Sequence, residues 1–359
     1  YKRQVLTLGV GGKTRASEEE QRRMGVQAVD AQATMRNLIE RLQPLCRSIT
    51  GDGVRASLAP IAELIPLQIT EAPSGEQVLD WNVPKEWNIR DAYIAGPDGK
   101  RIVDFRGNSL HVISYSMPVR AHMGLEQLRQ RLVLHPDSPD WIPYRTSYWD
   151  ETWGFCITGA QMAALQALPE GTQFEVVIDS SLEDGALTYG EVLVPGSDPQ
   201  AGELLIVAHV CHPYMGNDNL SGMAVATELC RQLLAAPAER MGVRFLFAPG
   251  TIGAITWIAR NRERMEHIRG GLTLTCIGDE RPLTYKKTYD GNAMIDRAAQ
   301  HVLETREKAF HVIDFFPYGY DERQFNSPGF RVPIGSLMRG RHGEFPEYHS
   351  SGDDLAFVK

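Results

Sequence analysis

Apolar and polar positions divide this chain into three textures. From Met35, "MRNLIERLQPLC" places apolar residues at 35, 38, 39 and 42, the spacing of one helix face. Pro44 ends or bends that helix, because proline lacks an N–H and clashes with the preceding turn. "SITGDGVR" reads as a glycine-bearing turn into a second helix around 54–65. At residue 67 the pattern changes to short, partly alternating segments, "LQITE", "QVLDW", "IRDAYI", "RIVDF" and "LHVISY", divided by Pro-Ser-Gly, Pro-Asp-Gly and Gly-Asn. These are strand and turn signals. With a short amphipathic helix near 124–133, they predict a small β-rich domain over 67–150.

From about 152, "FEVVID", "YGEVLV", "ELLIVA", "VRFLFA" and "GLTLTC" are near-continuous apolar runs, and helical spacing recurs over 219–235, 253–266 and 293–305. Strands apolar on both faces that alternate with helices predict an α/β core: a mixed, largely parallel sheet flanked by helices. That core is assigned to 34–66 and 151–359, with the β-rich domain inserted between. Residues 1–33 are polar and weakly patterned and read as an N-terminal extension.

Composition narrows the function classes. The chain has 359 residues, 43% hydrophobic and 23% charged, which suits a globular protein. A net charge of −8 without a basic block argues against nucleic acid or an anionic membrane as partner. No apolar run approaches the roughly 20 residues of a membrane span, and the N-terminus lacks the order of a secretion signal. Cysteines 46, 156, 211, 230 and 276 form no paired framework and read as reduced thiols of a cytoplasmic protein. The pattern is compatible with a homo-oligomer without specifying one.

The chemistry gathers in two places. His209, Cys211 and His212 follow the strand "ELLIVA" (203–208), at the end where open α/β sheets collect ligands. Gly216 permits a tight turn, and Asn217 or Asp218 can cap the helix that starts near Leu220. Imidazole and carboxylate are the usual ligands of catalytic zinc, which keeps three protein ligands and one open position. A helix cap and a satisfied strand-end histidine would account for the same residues. The second place is "GRHGEFPEYHSSGDDL" (340–355), with His342, Glu344, Glu347, His349, Asp353 and Asp354 after the strand-like "FRVPIGSL". Two distant clusters, both after strands, favour a bipartite metal site. Cys211 beside His212 could suggest a thiol nucleophile, but adjacent residues at a strand end are expected to point apart. The aromatics of "DWIPYRTSYWDETWGF" (140–155) read as packing at the junction of the two domains. No Gly-x-Ser-x-Gly motif marks a serine hydrolase.

The stretches "HVCHPYMGNDNLSG", "PGTIGAITW", "DFFPYGYDERQFNSPGF" and "GEFPEYHSS", with "CRSITGDGVR" and "DWNVPKEWNIRDAYI" upstream, resemble aminopeptidase-like zinc proteins of the DUF4910/DUF2172 type. These are bacterial relatives of the M28 zinc exopeptidases, and the resemblance spans roughly 35–359. It implies a zinc-exopeptidase-like core and a metal set of His212, Asp218 and His349. His209 and Asp279 would then be outer or alternative ligands. One zinc ion is expected rather than two, because M28 enzymes carry Glu-Glu after the next strand, as base and metal ligand, whereas Gly250 and Thr251 stand here. The expected replacement bases are Glu322 first, then Asp321 and Glu344, with Glu347 and Glu280 as further acids. Arg323 is expected to hold a substrate carboxylate. The resulting expectation is a zinc-dependent aminopeptidase or amidohydrolase acting on a small peptide or amino-acyl amide. The alternative is a zinc-binding relative without peptidase activity, either a binding module or an acyl-transfer or cyclisation enzyme. M28-like cores usually close with a helix after the last motif; only ten residues follow His349, so either a shortened chain or a disordered tail is expected.

Overall fold

Strand Glu203–His209 divides its side chains between two cores. Leu205 and Val207 pack with Leu246, Ala248 and the helix Ile252–Arg260. Ile206, Ala208 and Val210 pack on the other face with Phe245, Phe247 and three helices: 30–42, Asp52–Ala62 and Gly222–Ala235. A strand covered on both faces has no polar side, which explains the near-continuous apolar run. This computed structural model describes residues 30–236 and 240–359. Most of the expected N-terminal extension, residues 1–29, therefore lies outside the described residues, and 30–33 already belong to the first helix.

The large sheet has eight strands in the order Gln68–Pro73, Ala186–Val194, Gly242–Ala248, Glu203–His209, Ile268–Leu274, Ile334–Met338, Leu283–Lys286 and Phe310–Ile313. The four central strands, from Gly242–Ala248 to Ile334–Met338, run parallel. The pairings to either side of them are antiparallel, and the outermost pair, 283–286 with 310–313, is parallel again. The sheet is thus mixed, with its parallel part at the centre. That arrangement brings the C-terminal ends of the central strands to one edge.

A second, antiparallel sheet joins Arg101–Asp104, Glu86–Ala95, Gln173–Glu183 and Val119–Gly124. Its membership departs from the boundaries expected at 67 and 150. "LQITE" pairs at the edge of the large sheet, and "FEVVID" belongs to the small one. Side-chain period says whether a strand is covered on one face or two, not which sheet it joins. Trp87, Ile94, Val103, Phe174 and Ile178 of the small sheet share one core with Leu205 and Val207. "LHVISY" forms a short turn over Ser109–His111, where the Asn108 side chain accepts from Leu110 N. No helix of the described residues is long and apolar enough to cross a membrane.

Candidate metal centre

The strand Glu203–His209 carries His209 into the interior, where it is fully buried. Its Nδ1 accepts from Asn219 Nδ2 at 3.2 Å, and Asn219 is itself fixed by a bond to the Leu274 carbonyl at 3.0 Å. Nε2–H then donates to Asp218 Oδ1 at 2.8 Å. His212 is held through its carbonyl, which accepts from the buried Arg47 Nε at 3.0 Å. The segment 216–221 leaves helical geometry at Asp218 (φ −110°, ψ 84°), and the regular helix begins only at Gly222. Asp218 is therefore no helix cap. The Asp353 carboxylate holds its loop by accepting from Asn217 N at 2.6 Å and Asp218 N at 2.8 Å. Asp279 stands behind the same loop, accepting from Asn217 Nδ2 at 3.0 Å and pairing with Arg281.

The far cluster supplies His349, whose Nε2 lies 3.0 Å from Asp218 Oδ2. Its ring is 5.1 Å from that of His212, and Tyr144 meets both rings at 5.1 Å. Ligand atoms of His209, His212 and Asp218 all lie within 4.8 Å of one another. Asp218 Oδ2 and His349 Nε2 are sealed from solvent and make no hydrogen bond. A buried polar atom left in this state costs about 1–3 kcal/mol, and a cation would satisfy both. Burial pushes the Asp218 carboxyl up, but the imidazoles of His212, His209 and His349 outweigh it and hold the group well below the usual carboxylate range. Burial also drives His212 well below its ordinary value. An ionised carboxylate and a neutral imidazole are the states that metal ligation requires. The His212 and His349 imidazoles with the Asp218 carboxylate suit a zinc ion that keeps one open position.

His212, His349 and Tyr144 border a cavity of about 710 Å³. Its wall includes Tyr144, Tyr148 and Trp149 from the 140–155 stretch, so these aromatics shape the cavity as well as packing a junction. The segment reaches the site because Tyr144 N donates to the His349 carbonyl at 2.7 Å and Ser351 N to the Ile142 carbonyl at 2.8 Å. Arg323 lines the cavity and forms no ion pair among the described residues.

The carboxylates expected to replace the missing base are elsewhere. Glu322 is fully buried, salt-bridged to Lys286 at 2.8 Å, and accepts from Tyr320 N at 3.1 Å; it does not line the cavity. Asp321 is also buried behind the cavity wall, with Oδ1 accepting from Thr251 N at 2.7 Å. Burial pushes its carboxyl up to about 7. Glu344 pairs with Arg341 and Glu347 with Arg281, both away from the cavity. Glu280 is exposed. Cys211 and His212, expected to point apart, are in contact at 3.5 Å, because the chain has left the regular strand by residue 211. Burial pushes the Cys211 thiol up to about 12, so this pair is no thiolate–imidazolium nucleophile.

The pattern of residues 36–359 matches the family described as a domain of unknown function, DUF4910. The chain belongs to that family. It is 48% identical over 322 residues to a Clostridium acetobutylicum protein provisionally described as a polysaccharide biosynthesis protein with an aminopeptidase-like domain, covering 90% of this chain and 72% of that one. A C. acetobutylicum crystal structure under the provisional name of a peptidase superposes with a TM-score of 0.89 at 46% identity, covering 95% of this chain and 79% of the other. A zinc aminopeptidase from Bacillus subtilis shares the fold, with a TM-score of 0.63 at 14% identity, covering 91% and 90% of the two chains.

Two features of this DUF4910 site carry no role in the sequence pattern. Tyr320 stacks on His209 with ring centroids 3.8 Å apart, and its hydroxyl lies 3.1 Å from Cys211 Sγ. A Cβ built on Gly250 would fall 2.1 Å from that hydroxyl. Tyr320 thus fills the space where a side chain at 250 would start. His342 is the second feature. It sits in the cavity wall with Nε2 at 3.2 Å from Thr275 Oγ1. A histidine in the far cluster was the available signal, but its sequence distance from Thr275 hid the contact.

Proposed function

We propose that this protein is a zinc-dependent hydrolase of the aminopeptidase or amidohydrolase type, cleaving a small peptide or amino-acyl amide. The observation that carries the reading is the convergence of His212 and His349, in a cavity wall, on the buried Asp218, with two buried atoms of the set lacking hydrogen bonds. His212, Asp218 and His349 are the residues that would hold the ion with one position open, and His209 would orient Asp218 through its Nε2–H. Zinc bound there would supply Lewis acidity toward a carbonyl and bring the pKa of water near 7. Asp353 and Asn219 orient the set through the Asp218 loop and the His209 ring. Arg323 offers an unpaired guanidinium to a substrate carboxylate, and Tyr144, Tyr148 and Trp149 enclose the substrate side chain. The unpaired cysteines favour a cytoplasmic setting.

Metal analysis of protein purified without added zinc, followed by an aminoacyl-anilide panel with and without chelator, tests this. The expected outcome is bound zinc and hydrolysis abolished by chelation and by His349→Ala. A protein without metal whose stability is indifferent to chelator would sink the reading. The blocked space at Gly250 favours one second reading, a zinc protein that performs acyl transfer, cyclisation or binding in place of hydrolysis. A metal-loaded protein inert to every anilide would support that reading.

A further inference from the structure

The base absent at Gly250 has no room to return, because Tyr320 occupies the space beyond its Cα. The nearby carboxylates are engaged: Glu322 by Lys286, Asp279 by Asn217 and Arg281, and Glu347 by Arg281. Asp321 lies behind Thr251, and Glu344 outside the cavity. Asp150 lines the cavity but is exposed to solvent. Cys211 and Tyr320 are held protonated by burial. Among imidazoles of the cavity wall, only His342 stands apart from the proposed zinc ligands.

We infer that His342 is the general base of the hydrolysis proposed above, acting through Nδ1. The tautomer follows from its neighbours. Thr275 Oγ1 donates to Cys276 Sγ at 3.6 Å, so its oxygen accepts from His342 Nε2–H. Nδ1 therefore carries the lone pair. It has no partner among the described residues and is not among the buried atoms sealed from solvent. The ring stands one aromatic residue away from the metal cluster on two sides. Tyr320 is 3.8 Å from His209 and 5.9 Å from His342; Tyr348 is 3.9 Å from His349 and 6.1 Å from His342, all between ring centroids. Burial holds the imidazole below its ordinary pKa, which keeps it free to accept a proton at neutral pH.

The step balances on this chain's own residues. His342 Nδ1 takes a proton from water as the water oxygen bonds to the carbonyl carbon and the C=O electron pair moves onto its oxygen. The proton then passes to the amide nitrogen as the C–N bond breaks. Amine and acid leave, and His342 returns neutral. Thr275 keeps Nε2 protonated throughout.

The test uses His342→Gln and His342→Ala in the full chain, with three readouts: zinc affinity by calorimetry, affinity for leucine phosphonic acid, and kcat on leucyl anilide. A phosphonate oxygen accepts from protonated His342 but finds no donor in His342→Ala and only an uncharged amide N–H in His342→Gln. Zinc affinity is expected to stay within about twofold, kcat to fall roughly 10²–10⁴-fold, and phosphonate binding to weaken about tenfold or more. Added imidazole should restore part of the rate of His342→Ala. Parent-like phosphonate binding, or loss of zinc along with activity, overturns the inference while leaving the hydrolase reading intact. A parent protein that binds neither zinc nor phosphonate overturns both.

Discussion

Asp218 and Asp321 are two buried aspartates behind the wall of the same cavity, and in each the Oδ2 atom lacks a hydrogen bond. Their surroundings separate them. Asp218 faces His209 and His349 at 2.8 and 3.0 Å, with His212 beside it, and is held ionised. Asp321 faces a backbone N–H and the neighbouring charge of Glu322, and burial lifts its pKa to about 7. Burial beside another acid therefore lifts a carboxyl toward neutral pH; burial among histidines makes an anion fit for a cation. Residue type and exposure are the same, and the neighbours decide the role.

The strongest way to break this contrast is Asp218→Asn. It removes the only carboxylate of the cluster, and zinc affinity should fall by more than the roughly 10–100-fold typical of losing a partner behind a metal ligand. Metal content after dialysis and anilide turnover both read it; retained zinc would count against the site. Glu322→Gln comes next and leaves Lys286 buried without its carboxylate. Breaking such a pair costs roughly 3–5 kcal/mol, visible as a lower denaturant midpoint. Equal stability of parent and variant would show that the pair contributes nothing.

Asp321→Asn sharpens the contrast through pH. The unfolded carboxyl titrates near roughly pH 4, and the folded one near about 7. Between those values the folded chain keeps a proton that the unfolded chain has lost. Stability contributed by this group is therefore full below the lower value, falls as pH rises through the window, and stays low above it. The penalty is at most a few kcal/mol, at roughly 1.4 kcal/mol per pKa unit. The melting temperature of the variant relative to the parent should rise from pH 4 to 7 and then level off. A flat difference would mean that Asp321 titrates normally. The smallest effect is expected of Gly250→Ala, about 1–3 kcal/mol from overpacking against Tyr320. Much of it should be recovered in the double variant with Tyr320→Ala, as a double-mutant cycle on thermal stability would record.

Much of this architecture is legible along the chain. The period of 35–42 gives the first helix, and the apolar runs at 203–208 and 243–248 give strands covered on both faces. Sheet membership was not legible, because 68–73 and 173–183 have side-chain patterns that either sheet would accept. At the site, His209, His212, Asp218 and His349 all fall in the two stretches that stood out by residue type. The choice between His209 and His212 could not be made from order alone. In the fold both turn toward Asp218, one directly from the strand and the other from the irregular chain after it. Tyr320 against Gly250 and His342 against Thr275 are contacts across about 70 residues, and no local pattern encodes them.

By itself the sequence determined the helical and strand periods, the clustering of metal-type ligands after strands, and the lack of a carboxylate at Gly250 and Thr251. These are properties of neighbours along the chain, where side-chain period and residue chemistry act directly. Only the tertiary structure decided which acids reach the cavity, which have their pKa lifted by burial or are bound to lysine and arginine, and which ring fills the space beside Gly250. Those outcomes depend on distance and dielectric between segments far apart in the chain, and both are set when the sheets and their loops pack together.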